Sequence, residues 1–396
     1  MALRTVDTLD LAGKRVFLRV DLNVPLDADG RVKDDARIRA ALPTIKYAVG
    51  ARAKVILASH LGRPKGKPGD RSRLTLQPAA ARLSELLDRD VVLADDCVGE
   101  GVKKLVGEIG DGQVLLLENL RFHPEEEAND QAFARELAGL CDVWVNDAFD
   151  GVHRAHASTA GMAAYVKERA AGFLVLKEVE YLGRALDAPT RPFVAVLGGA
   201  RASDKVRLFG ALLSRADAIL VGGATAYTFL RAQGVAIGRS LVEEDRLELA
   251  RQILERARGQ GVELLLPCDH VCGTQPRDPT TRKVVNGSAI PEGLMGLDIG
   301  PRTLGAFRQR ILDAGTVFWN GPVGLFEQRP FAEGTLGVAR AMAESPAVTV
   351  VGGGDSAAAV EEAGLLSRIR HVSTGEGASL EFVEGRDLPG VKACEE

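Results

Sequence analysis

Gly352-Gly353-Gly354-Asp355 follows an apolar run, Val348-Thr349-Val350-Val351, and precedes Ser356, Ala357, Ala358, Ala359 and Val360. The pattern predicts a strand, a glycine turn and a helix N-terminus. That geometry offers bare backbone N–H groups to an anion, and the helix dipole adds to the attraction. Asp355 sets a carboxylate beside the anion, which makes chemical sense when a Mg²⁺ lies between them. An isolated turn of this kind serves equally well as a plain strand–helix connection, so the rest of the chain decides.

The first half carries the opposite chemistry. Arg63, Arg121 and Arg154, with His60 and His153, lie in loops that follow apolar runs, and Arg37 opens a helical segment. Several cations gathered at one edge call for a small polyanion. Taken singly, each reads better as a solvated loop charge. Pro64 to Gly69 is expected to be a mobile basic loop, and Glu125-Glu126-Glu127 the acidic first turn of a helix.

The elements that must hold these groups repeat one habit. Arg15–Val20, Val55–Ala58, Val114–Leu117 and Val143–Val145 are apolar runs, each ending in a loop rich in Asp, Asn, His or Arg. Segments with helical spacing, such as 78–87 and 130–140, lie between them. Alternating strand and helix predicts an α/β fold with a parallel sheet, and ligands in such sheets lie beyond the carboxyl ends of the strands. Residues 165–186 are expected to be one helical stretch, broken at Asp187-Ala188-Pro189-Thr190-Arg191-Pro192, where the domains divide. In the second half the loops turn to glycine: Gly198-Gly199, Gly222-Gly223, Asn320-Gly321-Pro322, Gly352-Gly353-Gly354 and Gly375-Glu376-Gly377. Main chain approaches a phosphate-bearing ligand closely where Cβ is absent. One domain thus holds an anion by side chains and the other a nucleotide by its backbone, which suggests phosphoryl transfer.

Composition narrows the class. A chain of 396 residues predicts two domains, and a net charge of −4 gives no sign of nucleic-acid or membrane partners. Five scattered cysteines suit a reducing, cytoplasmic setting. Cys268-Asp269-His270-Val271-Cys272 lacks the second ligand cluster that structural zinc needs. There is no Gly-x-x-x-x-Gly-Lys-Ser/Thr, and protein-kinase signatures are absent.

With these residues in hand, the chain resembles the phosphoglycerate kinase family over essentially its full length. The matching stretches are Arg19-Val20-Asp21-Leu22-Asn23-Val24-Pro25, Ser59-His60-Leu61-Gly62-Arg63-Pro64, Leu117 to His123 and His153-Arg154-Ala155-His156. The second half adds Ser203-Asp204-Lys205, Met295 to Pro301, Trp319-Asn320-Gly321-Pro322 with Glu327, and Gly352 to Asp355. The resemblance implies two doubly wound, Rossmann-like domains joined by a helix and hinge. The expected divisions are 1–170, a connector at 171–187, and 188–379, with 380–396 returning to the first domain. It implies reversible transfer of the acyl phosphate of 1,3-bisphosphoglycerate to MgADP, by a protein expected to be monomeric. Asp21, Asn23, Arg37, His60, Arg63, Arg121 and Arg154 are implied to hold phosphoglycerate. Arg37, Arg201, Gly354 and Gly377 are implied to face the phosphoryl group in flight. Lys205, Gly223, Gly296, Glu327, Gly353, Gly354, Asp355 and Ser356 are implied to hold the nucleotide, with Asp355 on Mg²⁺.

This chain departs from the family pattern within those motifs. Arg201 stands for a usual Lys, Glu376 for the middle of three glycines, and Asp150 for a glycine before His153-Arg154. Ala224 and Thr225 replace Gly-Met in the expected base pocket. These changes leave open a relative acting on a different carboxylate, or a non-catalytic nucleotide-binding relative. Gly352 to Ala357 also fits a dinucleotide fingerprint, with Glu376 at the ribose spacing, but it comes too near the chain's end for a full dinucleotide fold.

Overall fold

β1 (Arg15–Arg19), Val- and Leu-bearing and buried on both faces, is central to the first sheet. With β2 (Lys54–Ala58), β3 (Val91–Leu93), β4 (Val114–Leu116), β5 (Val143–Asn146) and β6 (Glu168–Ala171) it forms a parallel sheet in the order β3-β4-β2-β1-β5-β6. The near-continuous apolar sequence of these strands is what a sheet covered on both faces demands. One face packs Val16, Leu18, Val55, Leu57 and Val145 against Ile38, Ala41 and Ile45 of the helix Ala36–Gly50. Each such side chain contributes about 1.5–3 kcal/mol on burial. The computed structural model describes residues 3–395.

The second sheet comprises β7 (Phe193–Leu197), β8 (Ala218–Val221) and β9 (Glu263–Leu265), then β13 (Thr316–Asn320), β14 (Val348–Gly352) and β15 (His371–Val372). Its order is β15-β14-β13-β7-β8-β9, again parallel. The chain starts at β7, builds outward to β9, then returns to β13 on the other side. The strand order therefore reverses between β7 and β13, and a ligand crevice belongs at their carboxyl ends. Between the halves, β10 (Asp269–Gly273), β11 (Lys283–Asn286) and β12 (Met295–Ile299) make a small antiparallel sheet. Cys268 to Cys272 thus belongs largely to a buried strand.

The chain divides into two units, Met1–Val179 with Asp387–Glu396, and Glu180–Arg386. The returning tail is tied to the first unit by the Gly390 N–H donating to Val152 O at 2.8 Å. Residues 380–386, which the sequence reading grouped with that tail, fall in the second unit.

The expected single helix over 165–186 is corrected. Gly161–Tyr165 is a 3₁₀ turn, β6 follows, and the helix runs Phe173–Asp187. Glu168-Arg169-Ala170-Ala171 consists of good helix formers, but the open edge of β5 offers a full ladder of partners and overrides that propensity. Nor does the basic Pro64–Gly69 turn lack anchorage. Asp70 Oδ2 accepts the Lys65 and Lys67 N–H groups at 2.7 and 3.0 Å. No described helix is long and apolar enough to cross a membrane.

Candidate active site

In the first unit the loops after β1, β2 and β4 are laced together. Asn23 Oδ1 accepts the Gly62 N–H at 2.8 Å, and Arg121 Nη1 donates to Gly62 O at 2.8 Å. Gly62 has φ +62°, which suits glycine there. Asn119 is wholly structural: it accepts from the Leu61 and Arg121 N–H groups and donates to Leu61 O and Leu74 O. Glu118 likewise accepts from Thr75 Oγ1 and the Leu76 N–H. These two motif residues build the rim beside Arg121.

Arg19, buried beneath the loops, is the functional residue that sequence reasoning missed. It ends β1 inside an apolar run, so its pattern spoke only of a strand. Its Nε donates to Ser158 Oγ at 2.9 Å, and Glu126 accepts from Ser158. Glu126 is the buried middle of what looked like a plain acidic turn. Arg19 Nη2 lies 3.2 Å from His60 Nδ1. A guanidinium only donates, so His60 Nδ1 must accept and the imidazole proton sits on Nε2. Burial, then the charges of Arg19, Arg121 and Arg37, hold the His60 pKa well below the ordinary histidine value. Burial and the Arg19 charge take His156 down to about 4. Both rings are therefore neutral in a strongly cationic surround.

Arg37, in the first turn of Ala36–Gly50, is held by two carboxylates. Its Nη1 donates to Asp21 Oδ2 and, at 3.3 Å, to Asp150 Oδ2. Burial works against the Arg37 charge, but Asp21 and Asp150 outweigh it and raise the pKa. Desolvation raises the Asp21 pKa against the pull of Arg37. Burial lowers the Arg121 pKa, Glu127, 3.0 Å from its Nε, works against that, and the charges of Arg154 and Arg63 add to the lowering. Arg63 and Arg154 are exposed, and Arg154 Nε meets His153 Nε2 at 3.1 Å. All seven expected substrate residues lie on the carboxyl-end loops of this sheet or, for Arg37, on the helix that follows β1.

The second unit holds two adjoining cavities that share Gly199, Ala200, Pro322 and Asp355. One, of about 450 Å³, is walled by Tyr227, Leu241, Met295, Leu297 and Leu325, with Gly223 and Gly296, and has Glu327 at its lining. It suits a flat apolar ring system attached to a polyol. The other, of about 550 Å³, is lined by Arg201, Lys205, Asn320, Gly353, Gly354, Glu376 and Gly377. It suits phosphates. Gly223 has φ +64°, and a Cβ there would lie 2.7 Å from Gly199 N and 2.8 Å from Pro322 O. Only glycine lets these loops meet at the switch point between β7 and β13. Lys205 donates to Asn320 Oδ1, and burial lowers its pKa to about 8.

Ser356 lines the second cavity, and its buried Oγ also accepts the Gly321 N–H at 2.6 Å, which ties the turn. The expectation for Thr225 is corrected. Thr225 is not among the lining of the first cavity. Its Oγ1 donates to Gly199 O at 3.1 Å, while its neighbour Ala224 forms the wall.

Asp355 is exposed in the first turn of the helix Gly354–Glu362 and borders both cavities. A hard carboxylate oxygen beside a phosphate cradle fits Mg²⁺, with the nucleotide supplying further oxygens. Among the described residues, one other group has metal-ligand character: Asp96, Cys97 and His123, on the first unit.

The comparisons with known proteins agree along the chain. A family profile described as phosphoglycerate kinase matches residues 6–386. The chain is 74% identical to a phosphoglycerate kinase of Anaeromyxobacter dehalogenans over the whole of both sequences. It is 52% identical to one of Acidobacterium capsulatum, again over the whole of both. The solved phosphoglycerate kinase of Coxiella burnetii superposes with a TM-score of 0.91 at 41% identity, covering 99% of each chain. That of Pyrococcus horikoshii gives 0.84 at 34%, covering 99% of this chain and 98% of the other.

Proposed function

The chain belongs to the phosphoglycerate kinase family, and from that premise we propose how its own residues divide the work of the reaction. The activity is the reversible, glycolytic transfer of a phosphoryl group between the acyl phosphate of 1,3-bisphosphoglycerate and ADP, giving 3-phosphoglycerate and ATP. No observation favours a different acceptor or a non-catalytic role, and the departures at Asp150, Arg201 and Glu376 occur within a chain 74% identical to a named phosphoglycerate kinase.

The acceptor carboxylate is already ionised near neutral pH, so the reaction needs no general base. It needs positive charge to bring two anions together. In our reading Arg63, Arg121 and Arg154 take the remote phosphate of phosphoglycerate. His60 donates from Nε2, and Arg37, steadied by Asp21, faces the moving phosphoryl group. In the second unit the apolar cavity takes the adenine and Glu327 the ribose hydroxyls. Gly353, Gly354 and Gly377 present main-chain N–H groups to the phosphates, with Lys205 and Arg201 supplying charge. Mg²⁺ on Asp355, when bound, withdraws charge from the phosphate oxygens. The same reading takes the protein as a cytoplasmic monomer without nucleic-acid or membrane partners, in keeping with its net charge of −4.

One juxtaposition carries this assignment of roles: an apolar cavity bordered by Glu327 that opens beside a glycine-walled cavity at Lys205. Formation of ADP from MgATP that depends on 3-phosphoglycerate tests the whole. Lys205→Ala should then weaken nucleotide binding and leave 3-phosphoglycerate binding intact. Unchanged nucleotide affinity in that variant would overturn the assignment.

A further inference from the structure

Asp150 and Arg37 form a contact that the reaction does not require. The 3-phosphoglycerate site must present positive charge to an anion. Yet Arg37 Nη1 is shared by two carboxylates, Asp21 and Asp150. The two acids are not equivalent. Asp21 is nearly buried, with a side chain 9% exposed, and its Oδ1 accepts the Asn23 N–H at 2.9 Å. Asp150 is 26% exposed and sits in the middle of a 3₁₀ turn, Phe149–Gly151. Its carboxylate has no hydrogen bond among the described residues beyond the one from Arg37. Asp21 is therefore fixed in place, and Asp150 is free to leave. Arg37 Nε and Nη2 carry no hydrogen bond among the described residues, so the other edge of the fork remains open.

We infer that Asp150 is a displaceable internal counter-ion, which holds Arg37 and gives way to the anionic substrate, thereby setting substrate affinity. The inference rests on the reading that Arg37 faces that substrate. An incoming anion meets the Asp150 charge as well as the Arg37 charge, and it must break the 3.3 Å contact or share the guanidinium. The carboxylate thus raises the dissociation constant, and it does so by charge and not by shape. Charge neutralisation with the shape kept is the clean probe, and salt is the second.

The experiment is calorimetric titration of 3-phosphoglycerate into the wild-type protein, Asp150→Asn, Asp150→Ser and Arg37→Ala, at low and at high salt. Both Asp150 variants should bind about five- to tenfold more tightly than wild type at low salt, the scale of one nearby like charge. The gain should shrink at high salt. Equal or weaker binding by both variants, with Arg37→Ala still impaired, would overturn the inference and leave the site assignment standing. Wild-type affinity in Arg37→Ala would overturn both. A tightening that is the same at high salt would also count against it, because the effect would then be one of shape.

Discussion

Arg19 Nη2 sits 3.2 Å from His60 Nδ1, with both side chains out of solvent. The contact fixes which imidazole nitrogen carries hydrogen, and so leaves the Nε2–H of His60 as the group able to donate. Behind it the charge of Arg19 is balanced through Ser158 by buried Glu126, whose own carboxyl is pushed up by desolvation. The Arg19→Met substitution should strand that acid in the interior. The two meet only through Ser158, so the cost should be that of a buried hydrogen-bonding group left unsatisfied, about 1–3 kcal/mol. Urea unfolding should show a loss of this size, and an unshifted midpoint would mean that Glu126 does not depend on Arg19.

The two neutral histidines give stability a definite pH dependence. His156 titrates at about 4 when folded, against an ordinary value near 6.5. Between those values the unfolded chain binds more protons, so stability falls as pH drops from about 6.5 towards 4. His60 is displaced in the same direction. The loss from His156 alone should reach the order of 2–3 kcal/mol at the acid end. Denaturant midpoints measured across this range should slope downward, and His156→Gln should flatten the slope.

Lys205 should make nucleotide binding a proton-linked event. Burial leaves its pKa at about 8 in the free protein. A bound phosphate favours the ammonium form and raises that value, so binding near pH 9 should take up most of one proton, and near pH 7 little. Calorimetry in buffers of different ionisation enthalpy reads this directly. Lys205→Met should abolish the uptake, and a persisting uptake would assign the proton elsewhere.

The cation facing the phosphoryl group should be the most costly to remove. Arg37→Ala is expected to lower kcat a thousandfold or more, the scale of a lost transition-state arginine. Arg201→Lys should keep or raise activity, since it preserves the charge at the cavity wall while simplifying its shape. A harmless Arg37→Ala would show that another group carries the charge.

Gly353 tests the main-chain half of the site. Its φ is +96°, and a Cβ would lie 2.6 Å from Asn320 Nδ2, the amide that bridges Lys205 to Gly352 O. Gly353→Ala should weaken ADP binding by an order of magnitude or more while 3-phosphoglycerate binding holds. Equal losses for both ligands would indicate a folding defect.

The sequence by itself determined the alternation of strand and helix, the arginine-rich loops of one half and the glycine turns of the other. These are local signals: apolar runs reflect strands buried on both faces, and glycine clusters reflect backbone that must pass close to backbone or ligand. Residues 165–171 were not legible, because a helix-forming stretch pairs with a strand edge brought to it by distant sequence. Nor was Arg19, whose role comes from residues 41 and 139 positions away, His60 and Ser158. Only the tertiary structure decided that Asn119, Thr225 and Ser356 spend their polar atoms on the scaffold, that Glu126 is an interior counter-ion, and that Asp150 reaches Arg37. A motif records which residue types are present. Which hydrogen bonds they have left to give a ligand depends on neighbours that arrive through folding.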